Sequence, residues 1–165
     1  MVELELKRTR HDRDLYELEN VGTLRLEGVV STRATAEAGA NRWRIARRGL
    51  WRQLQATDVA GTVVGAFERR LIGGSHVYWR DRRYTLRRAS LWRGRYALAD
   101  GDTDREVALL DAKGWGKRPV KITVDHQPAL DPGLLLFTAF VVHTLAADSS
   151  AGSSAAVIAA TGGTS

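Results

Sequence analysis

The sequence predicts a mainly β domain in which antiparallel strands close around an apolar C-terminal helix. Apolar and polar residues alternate at period two over most of the chain, and turn residues interrupt this alternation at roughly 8–12-residue spacing. An almost continuous apolar segment then follows Asp131-Pro132. With 165 residues, 44% of them hydrophobic, the chain is long enough to bury one substantial core.

The alternating segments are candidate strands, each with one face buried and one face in water. Asp81-Arg82 and Asp100-Gly101 are predicted to be turns between such strands. In chain order, the apolar positions of the segments are Val2, Leu4 and Leu6; Leu24 and Leu26; Trp43 and Ile45; Val77 and Trp79; Tyr84 and Leu86; Tyr96 and Leu98; Val107 and Leu109; Val120, Ile122 and Val124.

An internal repeat supports a closed sheet. Residues 42–52 match residues 83–93, sharing an aromatic residue, an aliphatic residue two positions later, an Arg and then Leu-Trp-Arg. Each copy runs on into an Asp-containing turn and an apolar strand. Two copies of such a meander predict a sheet built from two similar halves.

The C-terminal segment predicts a buried helix over residues 132–147. Asp131 suits the N-cap and Pro132 the first helical position. Because nearly every residue from Leu134 to Ala147 is apolar, the helix must be surrounded on all sides. A membrane is the alternative surrounding, but a span needs about 20 apolar residues, more than this run supplies. We therefore expect one domain over residues 1–148 and a disordered Ser/Gly/Ala-rich tail over 149–165.

This arrangement resembles the tubby C-terminal-like superfamily, which includes tubby, the phospholipid scramblases, the LURP-one-related proteins and small bacterial members. The resemblance rests on the tandem meanders and on Asp131-Pro132 followed by Leu134-Leu135-Leu136-Phe137. It implies a closed antiparallel barrel of about twelve strands around a central hydrophobic helix, and a candidate role in phospholipid binding. No phosphoinositide-contacting motif of tubby is matched, and the cysteine-rich segment of scramblases is absent. A pleckstrin-homology-like barrel is the alternative fold, although its helix should be amphipathic.

Positive charge is concentrated in the middle of the chain. Residues 42–95 contain 14 Arg and only three acidic residues, whereas the segments on either side are mildly acidic and the whole chain carries +6. A GC-rich genome would also give many Arg, since the chain has 21 Arg and 4 Lys. Arg on strands with inward-facing apolar neighbours should face solvent and suit phosphate groups. The candidate anion-binding residues are Arg42, Arg44, Arg47, Arg80, Arg82, Arg83, Arg87 and Arg88.

No catalytic residue, cofactor or metal site is predicted. Cys is absent, and the four His residues share no metal-ligand spacing. Gly73-Gly74-Ser75-His76 and Gly114–Arg118 are interpreted as loops, because each departs from the motif it partly matches. The nearest metal candidate is a calcium loop at Asp100, Asp102 and Asp104, but Arg105 stands where that loop needs Gly.

The sequence thus favours a non-enzymatic binding or scaffold domain whose basic face engages anionic phospholipid headgroups or another phosphorylated polyanion. A nucleic-acid-binding barrel is the first alternative, weakened because Trp43, Trp79 and Tyr84 fall on the inward phase and could not stack on bases. An enzyme with an unrecognised site is the second. The N-terminus has no signal-peptide pattern, so we expect a cytoplasmic, peripherally membrane-associated protein without a transmembrane segment. The sequence carries no signal for an oligomeric state.

Overall fold

The computed structural model describes residues 1–28, 32–49, 53–90, 94–113, 119–125 and 129–161, with side chains as far as Ser149. Within these residues the chain forms twelve strands and one helix. The elements are β1 (Val2–Arg8), β2 (Leu15–Leu18), β3 (Gly22–Glu27), β4 (Arg33–Ala38), β5 (Asn41–Arg48), β6 (Gln53–Thr57), β7 (Val63–Glu68), β8 (Ser75–Trp79), β9 (Arg82–Ser90), β10 (Arg95–Asp100), β11 (Glu106–Asp111), β12 (Val120–Val124) and α1 (Pro132–Thr161).

The strands form a closed barrel in which each strand pairs antiparallel with its neighbours in the chain. Closure comes from β1 and β12, whose register runs from Val2 opposite Val124 to Leu6 opposite Val120. Because the barrel is closed, each of the twelve described strands is paired along both edges. The prediction of a closed antiparallel barrel of about twelve strands around an apolar helix is confirmed.

The helix fills the barrel. Every residue from 133 to 142 is buried, as an all-apolar helix requires. The inward-facing strand residues pack around it, and Trp43, Trp79 and Tyr84 are among them, as their phase predicts. In the described part of the chain, these side chains occupy the space that open barrels leave for a guest molecule.

The start of the helix is fixed by its predicted cap. The Asp131 carboxylate accepts a hydrogen bond from the Gly133 backbone N–H at 2.8 Å, as an N-cap residue should. The other carboxylate oxygen lies 3.1 Å from Nε of Arg80, in the turn between β8 and β9. The helix start is therefore tied to a specific hairpin of the wall.

The helix continues to Thr161, beyond the end expected at Ala147, so residues 149–161 are helical rather than disordered. The segment is rich in Ala, the best helix former, and this outweighs the Ser and Gly residues on which the prediction of disorder rests. Its 30 residues make a helix about 45 Å long at 1.5 Å per residue. The strands, with at most nine residues, reach about 30 Å at ~3.3 Å per residue. The last part of the helix therefore extends past the strand ends.

By length and composition alone, the window Pro132–Ser149 could cross a membrane. However, 61% of this window is buried inside the protein. The barrel wall takes the place that lipid would take around a membrane span.

The sequence repeat corresponds to four strands. β5 and β9 lie four strands apart in the barrel, and Trp43 and Ile45 of β5 occupy the same inward positions as Tyr84 and Leu86 of β9. The repeated unit is thus a third of the wall rather than a half. The Leu-Trp-Arg triplets, residues 50–52 and 91–93, lie outside the described residues.

Candidate anion-binding site at the helix exit

The direction of the strands defines two different ends of the barrel. In an up-and-down barrel all odd-numbered strands point the same way. The helix begins beside Arg80, at the end where odd-numbered strands start, which we call the start end. It leaves where the odd-numbered strands finish, which we call the exit end.

Four Arg residues at the exit end follow the same alternation as the inward-facing core residues of their strands. Each Arg stands two positions beyond the last buried core residue of β1, β5, β7 or β9, and a strand repeats its direction every two residues. Arg69 lies directly after the end of β7, and the other three lie within their strands. The core residues are Leu6, Ile45, Phe67 and Leu86. We call the Arg residues that follow them the exit collar: Arg8, Arg47, Arg69 and Arg88.

Asp148 joins the helix to two members of the exit collar. One of its carboxylate oxygens lies 3.5 Å from a guanidinium nitrogen of Arg47, and the other lies 3.5 Å from one of Arg69. One negative charge is thus shared between two positive ones. A third member, Arg8, donates to the hydroxyl of Tyr16 at 3.0 and 3.2 Å.

Beside the helix, the exit end has a groove of about 240 Å³. Three Arg residues line it, together with two Ser, one Tyr and two Leu residues, and its described lining includes no acidic residue. The lining residues are Arg69, Arg70, Ser75, Leu86, Arg88, Tyr96, Leu145 and Ser149. Three guanidinium groups around one groove suit a phosphate group.

A His near the groove, His76, has a lowered pKa. The pKa of His76 is lowered by burial first, and then by the positive charges of Arg70 and Arg83. His76 lies in β8, directly after Ser75, whose hydroxyl accepts a hydrogen bond from the Arg70 backbone N–H at 3.3 Å. The lowered pKa of His76 is therefore mainly a consequence of burial, with a smaller contribution from positive charge that Glu68 opposes.

The depressions on the outer wall of the barrel are less selective for anions. One of them, around Arg42, Arg44 and Arg48, also has the carboxylates of Glu27 and Asp58 in its lining. Another places Glu37 beside Arg25 and Arg42. Opposite charges so close together leave a much smaller net attraction for a phosphate.

The structure does not gather the eight predicted Arg residues into one patch. Only Arg47 and Arg88 lie at the exit collar. Arg42 and Arg44 lie on the outer wall of β5, and Arg87 lies on that of β9, four strands away. Arg80, Arg82 and Arg83 lie at the start end.

Several of these Arg residues already have partners within the protein. Arg42 pairs with Glu37 at 2.8 Å, and Arg87 pairs with Asp104. Arg83 donates to the Gly101 carbonyl at 3.3 Å. These contacts stabilise strands and turns and reduce the charge available to a ligand.

Sequence reasoning missed Arg69, Arg70 and Asp148. A signal for Arg69 was present, because it stands two positions after Phe67, as Arg47 stands after Ile45 and Arg88 after Leu86. Extending the inward phase past the last apolar residue would have identified it. Asp148 had no such signal, since its contacts depend on how far the helix runs through the barrel.

The calcium candidate forms a turn. The Asp100 carboxylate accepts hydrogen bonds from the backbone N–H groups of Asp102 and Thr103, both at 3.0 Å. These bonds, with that from the Thr103 hydroxyl, lower the pKa of Asp100. Among the described residues, no group of three or more His, Asp or Glu side chains is arranged to hold a metal ion.

The remaining sequence candidates are dispersed. His11 lies between β1 and β2, His76 in β8 and His143 in the helix. Gly73-Gly74 forms the predicted loop before Ser75, with positive φ angles of 81° and 86°. His126 and residues 114–118 lie outside the described residues.

Comparisons with protein-family models, with curated proteins and with solved structures find no match to this chain.

Proposed function

We propose that this protein is a non-enzymatic, tubby-like binding domain that holds anionic phospholipid headgroups in the groove at its helix exit. In this proposal it is a cytoplasmic protein that associates with the membrane surface and spans no membrane. The proposal moves the binding site from the strand faces suggested by the sequence to the exit end of the barrel.

One observation carries the proposal: Arg69, Arg70 and Arg88 line a single groove. The nearest carboxylate with a measured contact is that of Asp148, outside the described lining and 3.5 Å from Arg69. Guanidinium groups bind phosphate through paired N–H donors, and the charge-assisted bonds are stronger than neutral ones. Since the helix fills the interior, binding belongs to the outside of the barrel.

Vesicle flotation tests the proposal. We expect the protein to float with vesicles containing anionic lipid and not with purely zwitterionic ones, with binding that falls as salt rises. The double variant Arg70→Gln/Arg88→Gln should lose most of this binding. Arg42→Gln/Arg44→Gln removes the same charge from the outer wall and is the matched control.

The outcome distinguishes binding at the proposed site from attraction by the net charge of the protein. Equal loss in both variants would mean that net charge alone drives association, and the groove would then not be the site. No flotation of the folded wild-type protein with anionic vesicles would remove the lipid proposal. A salt-dependent DNA or RNA shift assay on the same protein tests the nucleic-acid alternative, in which Trp43, Trp79 and Tyr84 cannot take part because they are buried.

A further inference from the structure

Two large apolar side chains on the connection between β7 and β8 are exposed to solvent. Leu71 is 99% exposed and Ile72 is 89% exposed. They directly follow Arg69 and Arg70, which line the groove. Isolated exposed apolar residues are ordinary, but an adjacent pair at a loop tip beside an anion site adds apolar surface where a ligand would approach.

The connection is anchored at its base. The Arg70 backbone N–H donates to the Ser75 hydroxyl at 3.3 Å, which closes the loop. A Cβ on Gly74 would lie only 2.9 Å from Cγ2 of Thr85, so the backbone there runs close against β9. Leu71 and Ile72 are thus presented outward from a stem that the barrel holds in place.

We infer that Leu71 and Ile72 insert into the acyl region of an anionic bilayer while Arg69 and Arg70 bind phosphates at its surface. This inference rests on the proposed function and specifies its partner as a lipid bilayer. A soluble phosphorylated ligand would satisfy the Arg residues but leave both apolar side chains in water. A bilayer offers both surfaces at the required positions, with anionic headgroups outside and hydrocarbon directly beneath.

The helical extension at the exit end is compatible with this approach. The helix continues there past Asp148, and residues 149–161 contain no charged side chain. No carboxylate in that segment opposes an anionic surface. Leu71 and Ile72 therefore lie at the same end of the barrel as an uncharged extension of the helix.

Site-specific fluorescence tests the inference directly. The chain has no Cys, so a single introduced Cys can carry an environment-sensitive dye. Leu71→Cys places the dye at the loop tip, and Val59→Cys is the matched control, 86% exposed on the β6–β7 connection at the start end. With anionic vesicles we expect a blue shift and quenching by brominated acyl chains at position 71, and neither at position 59.

The unlabelled variant Leu71→Ser/Ile72→Ser measures the contribution of the pair. Burying two such side chains is strongly favourable, so their loss should weaken vesicle partitioning by about tenfold or more. Val59→Ser should change partitioning little. Both variants alter exposed loops, and the circular dichroism spectrum verifies that each remains folded.

Three results would overturn the inference. Vesicle binding with an aqueous dye at position 71 would disprove insertion while leaving the headgroup site intact. Absence of binding would instead remove the proposed function on which insertion rests. A blue shift without vesicles that grows with protein concentration would assign the pair to a contact between copies of this chain.

Discussion

The carboxylate of Asp148 lies 3.5 Å from the guanidinium group of Arg47 and at the same distance from that of Arg69. At the opposite end of the barrel, Asp131 pairs with Arg80 at 3.1 Å. An Asp–Arg contact thus fixes the helix to the wall where it begins and again where it leaves. The second contact also uses an Arg that lines the groove.

Removing the Asp148 charge should strengthen binding to anionic vesicles. In Asp148→Asn, Arg47 and Arg69 no longer share a carboxylate, and one added charge near an anionic surface is worth about 1 kcal/mol, or about fivefold in affinity. The cost in stability should be below about 1 kcal/mol, because these ion pairs are partly exposed. Asp81→Asn at the start end adds the same charge and serves as control; equal gains in both variants would contradict a local effect.

Gly133→Ala should destabilise the protein although Ala is the better helix former. A Cβ at this position would clash with the Trp79 ring and lie 2.9 Å from Cη2 of Trp43. We expect a loss of about 1–3 kcal/mol from overpacking, which exceeds the propensity gain. Urea denaturation measures the change. In a Trp79→Phe background the same substitution should cost less, and an equal cost there would argue against the steric explanation.

Thr138→Val should stabilise the protein. The Thr138 hydroxyl is buried and has no hydrogen-bond partner among the described residues. Val has nearly the same shape without the unsatisfied group, so we expect a gain of about 1 kcal/mol in urea denaturation. Thr144 is the matched control, because its buried hydroxyl donates to the Val141 carbonyl at 2.8 Å. A comparable gain in Thr144→Val would show that the missing hydrogen bond is not the cause.

The stability of the protein should fall between about pH 6.5 and pH 4 through His143. Burial lowers the pKa of this His to about 4 from its ordinary 6.5. Over that interval the unfolded chain binds a proton that the folded chain does not, so stability falls as pH falls, by at most about 3 kcal/mol. His143→Gln cannot titrate and should show a flatter profile from pH 6.5 to 5. Parallel profiles for both proteins would contradict this assignment.

The sequence predicted the barrel more completely than the site. Alternation identifies which residues face inward, so the burial of Ile45, Leu86 and Trp79 could be predicted without knowing any partner strand. The N-cap at Asp131 could also be predicted from neighbouring residues alone. The site depends on which residues meet across the barrel. That depends on the number of strands and on the length of the helix, and short sequence patterns determine neither.

Arg47 and Arg88 show this difference most clearly. The sequence grouped them with Arg42, Arg44 and Arg87 because all lie in the basic segment 42–95, on or beside predicted strands whose apolar residues face inward. In the barrel their phase turns them toward the helix exit, whereas the other three lie on the outer wall. Arg69 joins them from a strand that contributed nothing to the sequence-based set.

The threading of the helix has a consequence for how the chain folds. The helix lies inside the barrel but follows all twelve strands in the sequence. During synthesis, the strands therefore leave the ribosome before the helix that they surround. The strands that emerge first have no apolar surface to close around until the helix appears, and β1 must also wait for β12. Such non-local requirements slow folding and leave apolar strands exposed meanwhile. We therefore expect this chain to fold after synthesis rather than during it, with truncation before Pro132 leaving an aggregation-prone sheet.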